Sequence, residues 1–375
     1  MKGLGRNEPC WCESGMKYKK CHLDRDRQAK ENPWDAVEAN KKAFQQKKCW
    51  AKDVGLGACE GSIIKAHTVS RGPNLSKIAK NGNVIRYGAN VADLIKTSGK
   101  ITASEIGIRN ASVFNGFCAT HDRNLFSCIE NEPFVGRPDQ CLTVAYRTLS
   151  REIYGKDASS HLKETLRGAD KGLNELAQIR LQSQLMEIDK GVEAAKRELR
   201  KTHDTLTQAM VQGHHDVLSS LVLEFDGTLP MMFAGAWSPF TDFFGNELQV
   251  PYVDSFLEQV FFSSFAGNGN SFICISWIDI VDAPGRTIAD QISGLPQKKQ
   301  GSACLQFVVK HVENVFFDPN WFEAQSTAQR KHLDSLAASG IDEMGSPPIA
   351  PINLNLDFNL PEGASSVFIG SPSSS

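Results

Sequence analysis

Residues 5–22 read GRNEPCWCESGMKYKKCH and contain three cysteines and one histidine, arranged as two short pairs. Eight residues separate the pairs, and Gly15 lies among them, where the chain has to reverse direction. Structural zinc takes four sulfur or imidazole ligands in a tetrahedron, and two pairs joined by a turn provide them. A peptide this short buries too little apolar surface to fold alone, so the metal would supply the folding energy. The pattern predicts a zinc module whose ligands are Cys10, Cys12, Cys21 and His22.

The same stretch resembles the SEC-C motif, whose usual form is close to GRNDPCPCGSGKKYKKCH. Both ligand pairs match, as does the basic run around Tyr18, while Trp11 and Glu13 replace the proline and glycine of the family. The resemblance implies zinc binding and a docking role toward a protein partner, as in the export motor whose tail carries the motif. It covers about 18 of 375 residues and implies no reaction.

Composition indicates an ordinary globular protein. The chain has 375 residues, 41% hydrophobic and 22% charged, which suggests two or three domains. It contains no run of about 18 apolar residues and begins with no signal-like apolar stretch. We therefore expect a cytoplasmic protein without a membrane span, in which clustered cysteines bind metal rather than form disulfides.

The net charge of −2 conceals a strong asymmetry. Residues 1–212 carry 35 Lys and Arg against 25 Asp and Glu, a balance of +10, whereas residues 213–375 carry 6 against 18, a balance of −12. A basic front half favours contact with nucleic acid, and two globular parts that simply differ in surface charge would give the same numbers.

A second group of candidate ligands lies between residues 49 and 121: Cys49, Cys59, His67, Cys118 and His121. Cys118 and His121 have the C-x-x-H spacing of one edge of a zinc site at the start of a helix. Nine residues separate Cys49 from Cys59, with two glycines between them. Five candidates compete for four places; if His67 is left over, it can serve as a general base that deprotonates water.

Residues 49–131 resemble a treble-clef HNH nuclease, in which a Cys pair precedes a strand reading DHIV, and a later Asn is followed by Cys-x-x-Cys-His, which opens a helix. The resemblance implies that the other four candidates hold a structural zinc and that His67 is the base. Asp122 would take the place of the last histidine of the family, which holds a catalytic metal such as Mg²⁺ or Mn²⁺, and Asn110 or Asn115 would orient the base. Ala66 replaces the acidic residue of the family, and about 40 residues separate the two ligand strings.

The remaining pattern predicts a multidomain α+β protein. Leucine-class residues spaced by three and four between 185 and 199 favour a helical hairpin or a short coiled coil, which offers an oligomer contact. Apolar runs predict strands at 220–225, 230–237, 259–266, 271–278 and 303–311, with a helix over 322–339. The predicted segments are a SEC-C-like zinc module (1–24), a basic linker (25–48), a treble-clef or HNH-like Cys/His domain (49–150), a helical segment (157–212), an α+β domain (213–340) and a disordered tail (344–375).

Two functions fit these observations. The first is a zinc protein that contacts nucleic acid through its basic half and acts as a metal-dependent HNH-like nuclease in a bacterial defence setting, with His67, Asp122 and Asn110 as catalytic residues. The second is a non-enzymatic adaptor that docks protein partners through the SEC-C-like module. The chain contains neither GxxxxGK[ST] nor GxSxG, so nucleotide-driven and serine-hydrolase chemistry are unsupported.

Overall fold

The computed structural model describes residues 4–55, 57–88, 91–250, 256–339 and 352–370. Within these ranges the helices are α1 (Pro33–Ala43), α2 (Val91–Lys96), α3 (Ala119–Leu125), α4 (Ser127–Glu130), α5 (Pro138–Ser159), α6 (Leu162–Leu166), α7 (Glu175–Gln212), α8 (Pro284–Ser293), α9 (Gln297–His311), α10 (Pro319–Ala324) and α11 (Thr327–Ser339). The strands are β1 (Ile63–His67), β2 (Asn83–Gly88), β3 (Thr102–Gly107), β4 (Val113–Cys118), β5 (Leu218–Phe225), β6 (Met231–Trp237), β7 (Val260–Ala266), β8 (Ser271–Ile278), β9 (Val315–Phe317) and β10 (Gly363–Ile369).

The chain divides into two units, each built from two separate stretches. The first unit comprises residues 1–46 and 154–197, and the second comprises residues 47–153 and 198–375. The predicted zinc module lies in the first unit together with most of the predicted helical segment, although the two are far apart in sequence. The fold is therefore mixed α and β, with an N-terminal metal-binding module and a large sheet.

Helix α7 is 38 residues long and accounts for the heptad spacing of the sequence. Leu185, Val192, Leu199 and Leu206 follow one another at intervals of seven, and all four are buried by the chain itself. A stripe at this spacing lies along one side of a helix. The heptad pattern is thus explained by packing within the chain, and the coiled coil stays a prediction.

The second unit is built on an eight-stranded antiparallel sheet in the order β10-β5-β8-β7-β6-β9-β2-β3. Its central strands are buried on both faces; in β5, for example, only Glu224 is partly exposed. Strands covered on both sides read as continuous apolar runs rather than as an alternation. This explains why the predictions of strands at 220–225, 230–237, 259–266 and 271–278 are confirmed by β5 to β8.

The strand predicted at 303–311 is wrong, because these residues form the second half of α9. Residues 300–310 are all buried, so no polar face reveals the helical period. A short apolar run of this kind does not distinguish a buried strand from a buried helix. The single helix predicted over 322–339 is instead two helices, α10 and α11.

The disorder predicted for 344–375 does not hold for residues 352–370, while residues 344–351 and 371–375 lie outside the described part. Phe358 is fully buried in the main core, and β10 pairs with β5 from Gly363 to Ile369. The composition of this segment suggests disorder, but composition ignores the order of the residues. Apolar side chains at 354, 356, 358 and 360 alternate with polar ones. That period of two is the signature of an extended, half-buried segment.

The segment predicted as a separate Cys/His domain, 49–150, contributes to two sheets. Its strands β1 and β4 form a two-stranded antiparallel sheet, whereas β2 and β3 extend the eight-stranded sheet through β9. The hairpin β2–β3 is therefore an insertion between β1 and β4. Among the described residues, no helix combines the length and the apolar character needed to cross a membrane.

Candidate metal centres

The first cluster brings together the four residues predicted at the N-terminus. All four side chains are buried, and the ligand atoms lie within 4.8 Å of one another. His22 Nδ1 is 3.2 Å from the sulfur atoms of Cys10 and Cys21, and the sulfur atoms of Cys12 and Cys21 are 3.5 Å apart. A zinc tetrahedron with bonds of about 2.0–2.3 Å has edges of roughly 3.5–3.8 Å. The cluster could hold a zinc ion with little adjustment.

Local backbone geometry explains how so short a segment reaches this arrangement. The chain reverses between the two ligand pairs, where Glu13 and Gly15 adopt positive φ values of 56° and 71°. The Cys10 amide donates to the Met16 carbonyl (2.8 Å), and a short 3₁₀ helix, Tyr18–Lys20, leads directly into the second pair. The turn that the position of Gly15 predicted is present.

The electrostatics of the first cluster in the absence of metal favour a partly ionised state. Burial raises the pKa of Cys10 to about 12. For Cys12, hydrogen bonds from His22 and Ser14 outweigh the effect of burial and lower the pKa to about 6. Zinc binds thiolates, so the Cys12 sulfur is ready at neutral pH, whereas Cys10 releases a proton on binding.

The far side of the His22 ring is held by a residue that sequence reasoning missed. Asp170 is fully buried, and its Oδ2 lies 2.8 Å from His22 Nε2. The same carboxylate accepts from Arg25 Nε (2.5 Å) and from Gln182 Nε2 (2.8 Å). Asp170 follows His22 by 148 positions, and no local signal marks it in the sequence.

The second cluster unites Cys49, Cys59, Cys118 and His121 and leaves His67 outside. His121 Nδ1 lies 3.3, 3.6 and 3.4 Å from the three sulfur atoms in chain order. Three of the side chains are buried, while Cys59 is exposed. The five candidates of the sequence thus separate into four converging side chains, which could hold a second zinc ion, and one other histidine.

Two structural elements supply these ligands. Cys49 and Cys59 flank a glycine-rich loop in which Gly55 and Gly57 have positive φ values of 77° and 94°. Cys118 ends β4 and caps the N-terminus of α3, so that its sulfur accepts from the His121 amide at 3.5 Å. The loop also supports the histidine, because the Gly57 carbonyl accepts from His121 Nε2 at 3.2 Å.

His67 lies at the end of β1, opposite Val113 of β4, and is half-buried. Its Nε2 lies 3.2 Å from the Ile108 carbonyl, so this nitrogen carries the proton and Nδ1 keeps its lone pair. Burial lowers the pKa of His67, and the hydrogen bond to Ile108 only partly opposes this effect. The imidazole is therefore neutral at pH 7 and able to accept a proton at Nδ1.

The other predicted catalytic residues differ in their surroundings. Asp122 lies in the first turn of α3; burial, with a contribution from the negative charge of Glu130, raises its pKa to about 6. Asn110 is exposed in the turn after β3, two residues beyond the carbonyl that holds His67, and Asn115 lies within β4. The structure shows no side-chain hydrogen bond from either asparagine to His67 among the described residues.

An ion pair between a buried arginine and an exposed glutamate acts on His67 and was not anticipated. Arg147 of α5 is buried, donates to Glu130 at 2.7 Å and contacts the Ser70 hydroxyl at 3.2 Å. The charges of Glu130 and Arg147 act on both His67 and Asp122. His67, Asp122 and the Glu130–Arg147 pair are therefore near one another, on the side of the second cluster where β1 and α3 lie.

Comparison with known proteins identifies one part of the chain. Residues 6–24 match the family model of the SEC-C motif, which covers the first cluster and no other candidate site. No curated protein and no solved structure matches the chain. The SEC-C resemblance seen in the sequence is thereby confirmed.

Proposed function

We propose that this chain is a two-zinc protein that binds nucleic acid and hydrolyses it with His67 as general base. The proposal depends chiefly on the arrangement around the second cluster. The cluster residues come from a loop (49–59) and from the junction of β4 with α3, while His67 lies at the end of β1, the antiparallel partner of β4. These features support the treble-clef arrangement that the HNH resemblance implies.

The chemistry assigned to His67 follows from its hydrogen bond. With Nε2 directed at the Ile108 carbonyl, Nδ1 can take a proton from a water molecule. The water oxygen then attacks a phosphodiester phosphorus, the ester P–O bond breaks, and the leaving oxygen is protonated by solvent. A positioned base of this kind contributes about 10²–10⁴-fold to the rate.

A second, catalytic metal fits the described residues poorly. Only the two zinc clusters bring together three or more His, Cys, Asp or Glu side chains within the described ranges. Ala66 offers no ligand where the HNH family has an acid, and Glu130 is engaged by Arg147. Asp122 is the remaining carboxylate that could contact Mg²⁺.

Exposed cations close to His67 and Asp122 in the sequence support contact with a phosphate backbone. Lys65 precedes His67 by two residues, Arg109 adjoins the Ile108 carbonyl, and Arg123 follows Asp122. All three are exposed, and none forms an ion pair within the described part of the chain. Each phosphate contact contributes about one unit to the salt dependence of binding.

The test combines binding and cleavage on the zinc-loaded full chain. Duplex and single-stranded DNA and RNA are titrated by fluorescence anisotropy, then incubated with Mg²⁺ or Mn²⁺. We expect His67→Ala to reduce cleavage by about 10²–10⁴-fold without weakening binding. Lys65→Ala should weaken binding and lower the salt slope by about one. The matched controls are His215→Ala and Lys298→Ala, which alter exposed residues elsewhere.

Absence of binding to all four nucleic acids would contradict the proposal as a whole. Binding without cleavage, or cleavage that persists in His67→Ala, would contradict the catalytic part alone. Zinc content, measured on each variant by elemental mass spectrometry, should stay at two per chain. A loss of zinc in His67→Ala would contradict the exclusion of this residue from the second cluster.

A second candidate function is the adaptor role, which is favoured by the surface of the first module. Lys17, Lys19 and Lys20 are exposed beside the first cluster, and none is ion-paired within the described residues. They would suit an acidic protein partner as well as a phosphate backbone. Failure of the nucleic-acid test, together with a partner whose binding is lost in a Lys17/Lys19/Lys20→Ala variant, would favour this function.

A further inference from the structure

The first cluster depends on a buried carboxylate that lies outside the SEC-C match. The match ends at residue 24, but the nitrogen of His22 that points away from the sulfur atoms meets Asp170. Removing a carboxylate from water costs several kcal/mol unless it is paired and hydrogen-bonded. Asp170 meets this condition by accepting from three donors, His22, Arg25 and Gln182.

The hydrogen bond determines how His22 can bind a metal. Because Nδ1 faces the sulfur atoms of Cys10 and Cys21, Nε2 must carry the remaining proton and donate it to Asp170. Such a carboxylate fixes the tautomer and the orientation of the ring and makes the ligating nitrogen more electron-rich. Loss of a supporting group of this type typically costs 10–100-fold in metal affinity.

Additional contacts connect the segment around Asp170 to the module. Arg25, which is buried, donates to the carbonyls of Cys21 and Arg167, and its own carbonyl accepts from the Gly172 amide at 3.0 Å. Gly172 has a φ of 73°, which favours glycine at this approach. Lys171 pairs with Glu31 at 2.6 Å. Residues 25–31 and 167–173 thus interlock within the first unit.

We propose that Asp170 is a positioning residue of the first zinc site, so that zinc bound by the SEC-C ligands also holds residues 167–173 in place. The functional zinc module of this chain then extends beyond residues 6–24 to the connection between α6 and α7. The coupling is reciprocal, because any interaction that stabilises the zinc-bound state is itself stabilised by zinc.

The test measures zinc loss at each cluster separately in the full chain. Zinc-loaded protein is mixed with excess EDTA and pulsed with a thiol alkylating reagent, and the labelling of individual cysteines is read by peptide mass spectrometry. Labelling of Cys10, Cys12 and Cys21 reports the first cluster. Labelling of Cys49 and Cys118 reports the second cluster in the same molecules. The variants are Asp170→Ala and Asp170→Asn, with Asp189→Asn as the matched control.

Asp189 pairs with Lys163 in the first unit and touches no zinc ligand, so Asp189→Asn removes a charge of the same kind. We expect Asp170→Ala to speed labelling of the first cluster about 10–100-fold, Asp170→Asn to do so less, and Asp189→Asn to leave it within about twofold. Labelling of the second cluster should be unchanged in all three. First-cluster labelling in Asp170→Ala within twofold of wild type would overturn the proposal.

A spectroscopic measurement separates positioning from general stability. In the zinc-loaded protein the hydrogen-bonded Nε2 proton of His22 should be protected from solvent and visible by ¹H–¹⁵N NMR. The signal should vanish in Asp170→Ala and persist in Asp189→Asn. The opposite result would be equally fast labelling of both clusters in both Asp170 variants, with the Nε2 proton signal still visible in Asp170→Asn. This result would show that the substitutions destabilise the protein in general, and it would overturn the role assigned to Asp170.

Discussion

His22 and His121 both direct Nδ1 toward three cysteines, yet the opposite ring nitrogen of each meets a different acceptor. His22 donates to a fully buried carboxylate from a distant part of the chain, whereas His121 donates to the Gly57 carbonyl within its own ligand loop. All ligands of the first cluster are buried, while Cys59 of the second is exposed. Identical donor sets are thus supported by long-range contacts in one cluster and by local ones in the other.

Cluster residues that lie close together in sequence can therefore depend on a residue far away in the chain, and widely spaced ones can be supported locally. The ligands of the first cluster span 13 residues, from Cys10 to His22, but their support comes from 148 positions away. The ligands of the second cluster span 73 residues, from Cys49 to His121, but are supported by the loop and helix that carry them. A charged acceptor also makes a stronger hydrogen bond than a neutral carbonyl does.

The two clusters should differ most clearly in the rate at which they lose zinc. Under excess chelator, Cys59 and Cys118 should be alkylated at least about tenfold faster than Cys10 and Cys21, because Cys59 is exposed and His121 donates to a neutral carbonyl rather than to a carboxylate. Peptide-resolved alkylation of the two-zinc protein measures both rates at once.

Variants that each remove one cysteine of a cluster provide the control for the expected order of zinc loss, second cluster before first. Cys12→Ser and Cys118→Ser should each lower the zinc content from two to one per chain, and the remaining zinc should leave at the rate of the intact cluster. Loss of zinc from the first cluster before the second in the wild-type protein would contradict the comparison. Simultaneous loss would contradict it as well, since it would show that the two units release metal together.

Acid should affect the stability of the second unit rather than the order of zinc loss, and it should act through His203. This side chain is buried against Trp50 and Tyr146, and burial, reinforced by Lys48 and opposed by Asp53, lowers its pKa to about 4. In the unfolded chain the pKa is about 6.5. Between these values only the unfolded state binds the proton, so stability is present above about pH 6.5 and is lost as the pH falls toward 4.

The expected loss is about 3 kcal/mol across this range, from about 1.4 kcal/mol for each unit of pKa difference. Urea unfolding of wild type and His203→Gln at each pH isolates the contribution, because zinc release affects both proteins equally. The difference between their unfolding free energies should shrink as the pH falls. A difference that is constant from pH 7 to pH 4 would exclude His203 as the acid-sensitive group.

How well the sequence predicted each site depends on how far apart its interacting residues are along the chain. Cysteine and histidine spacing was sufficient to select the four residues of the first cluster, and in the second region it left five candidates, four of which the structure brings together. Local elements make this possible, since each of these residue pairs is held by a turn, a loop or a helix start. Asp170 was beyond such reasoning, because a single aspartate in a glycine-rich connection has no partner visible in the sequence. The same limit applies to Glu130 and Arg147, which reach the surroundings of His67 from different helices.

Fold prediction failed where burial removed the periodic signal or where composition obscured it. Residues 303–311 have no polar face, so the helix α9 reads like a strand. Residues 352–370 are rich in residues common in disordered segments, yet Phe358 is fully buried. The β2–β3 insertion joins the large sheet through the three-residue strand β9, a long-range pairing that no local pattern encodes.

A substitution in the turn of the first cluster should have the weakest effect, and it tests whether this turn lowers the stability of the zinc-bound state. Glu13 replaces the glycine of the SEC-C pattern and adopts a φ of 56°, a left-handed conformation that costs a non-glycine residue about 1–2 kcal/mol. Glu13→Gly should relieve this strain, while the added freedom of the unfolded chain offsets part of the gain. We expect a net stabilisation below about 1 kcal/mol and up to about fivefold slower zinc loss from the first cluster. Lys19→Gly, in the adjacent 3₁₀ helix, is the matched control and should not slow zinc loss. If Glu13→Gly left the rate unchanged while Asp170→Ala raised it, the long-range support alone would set the stability of the first cluster.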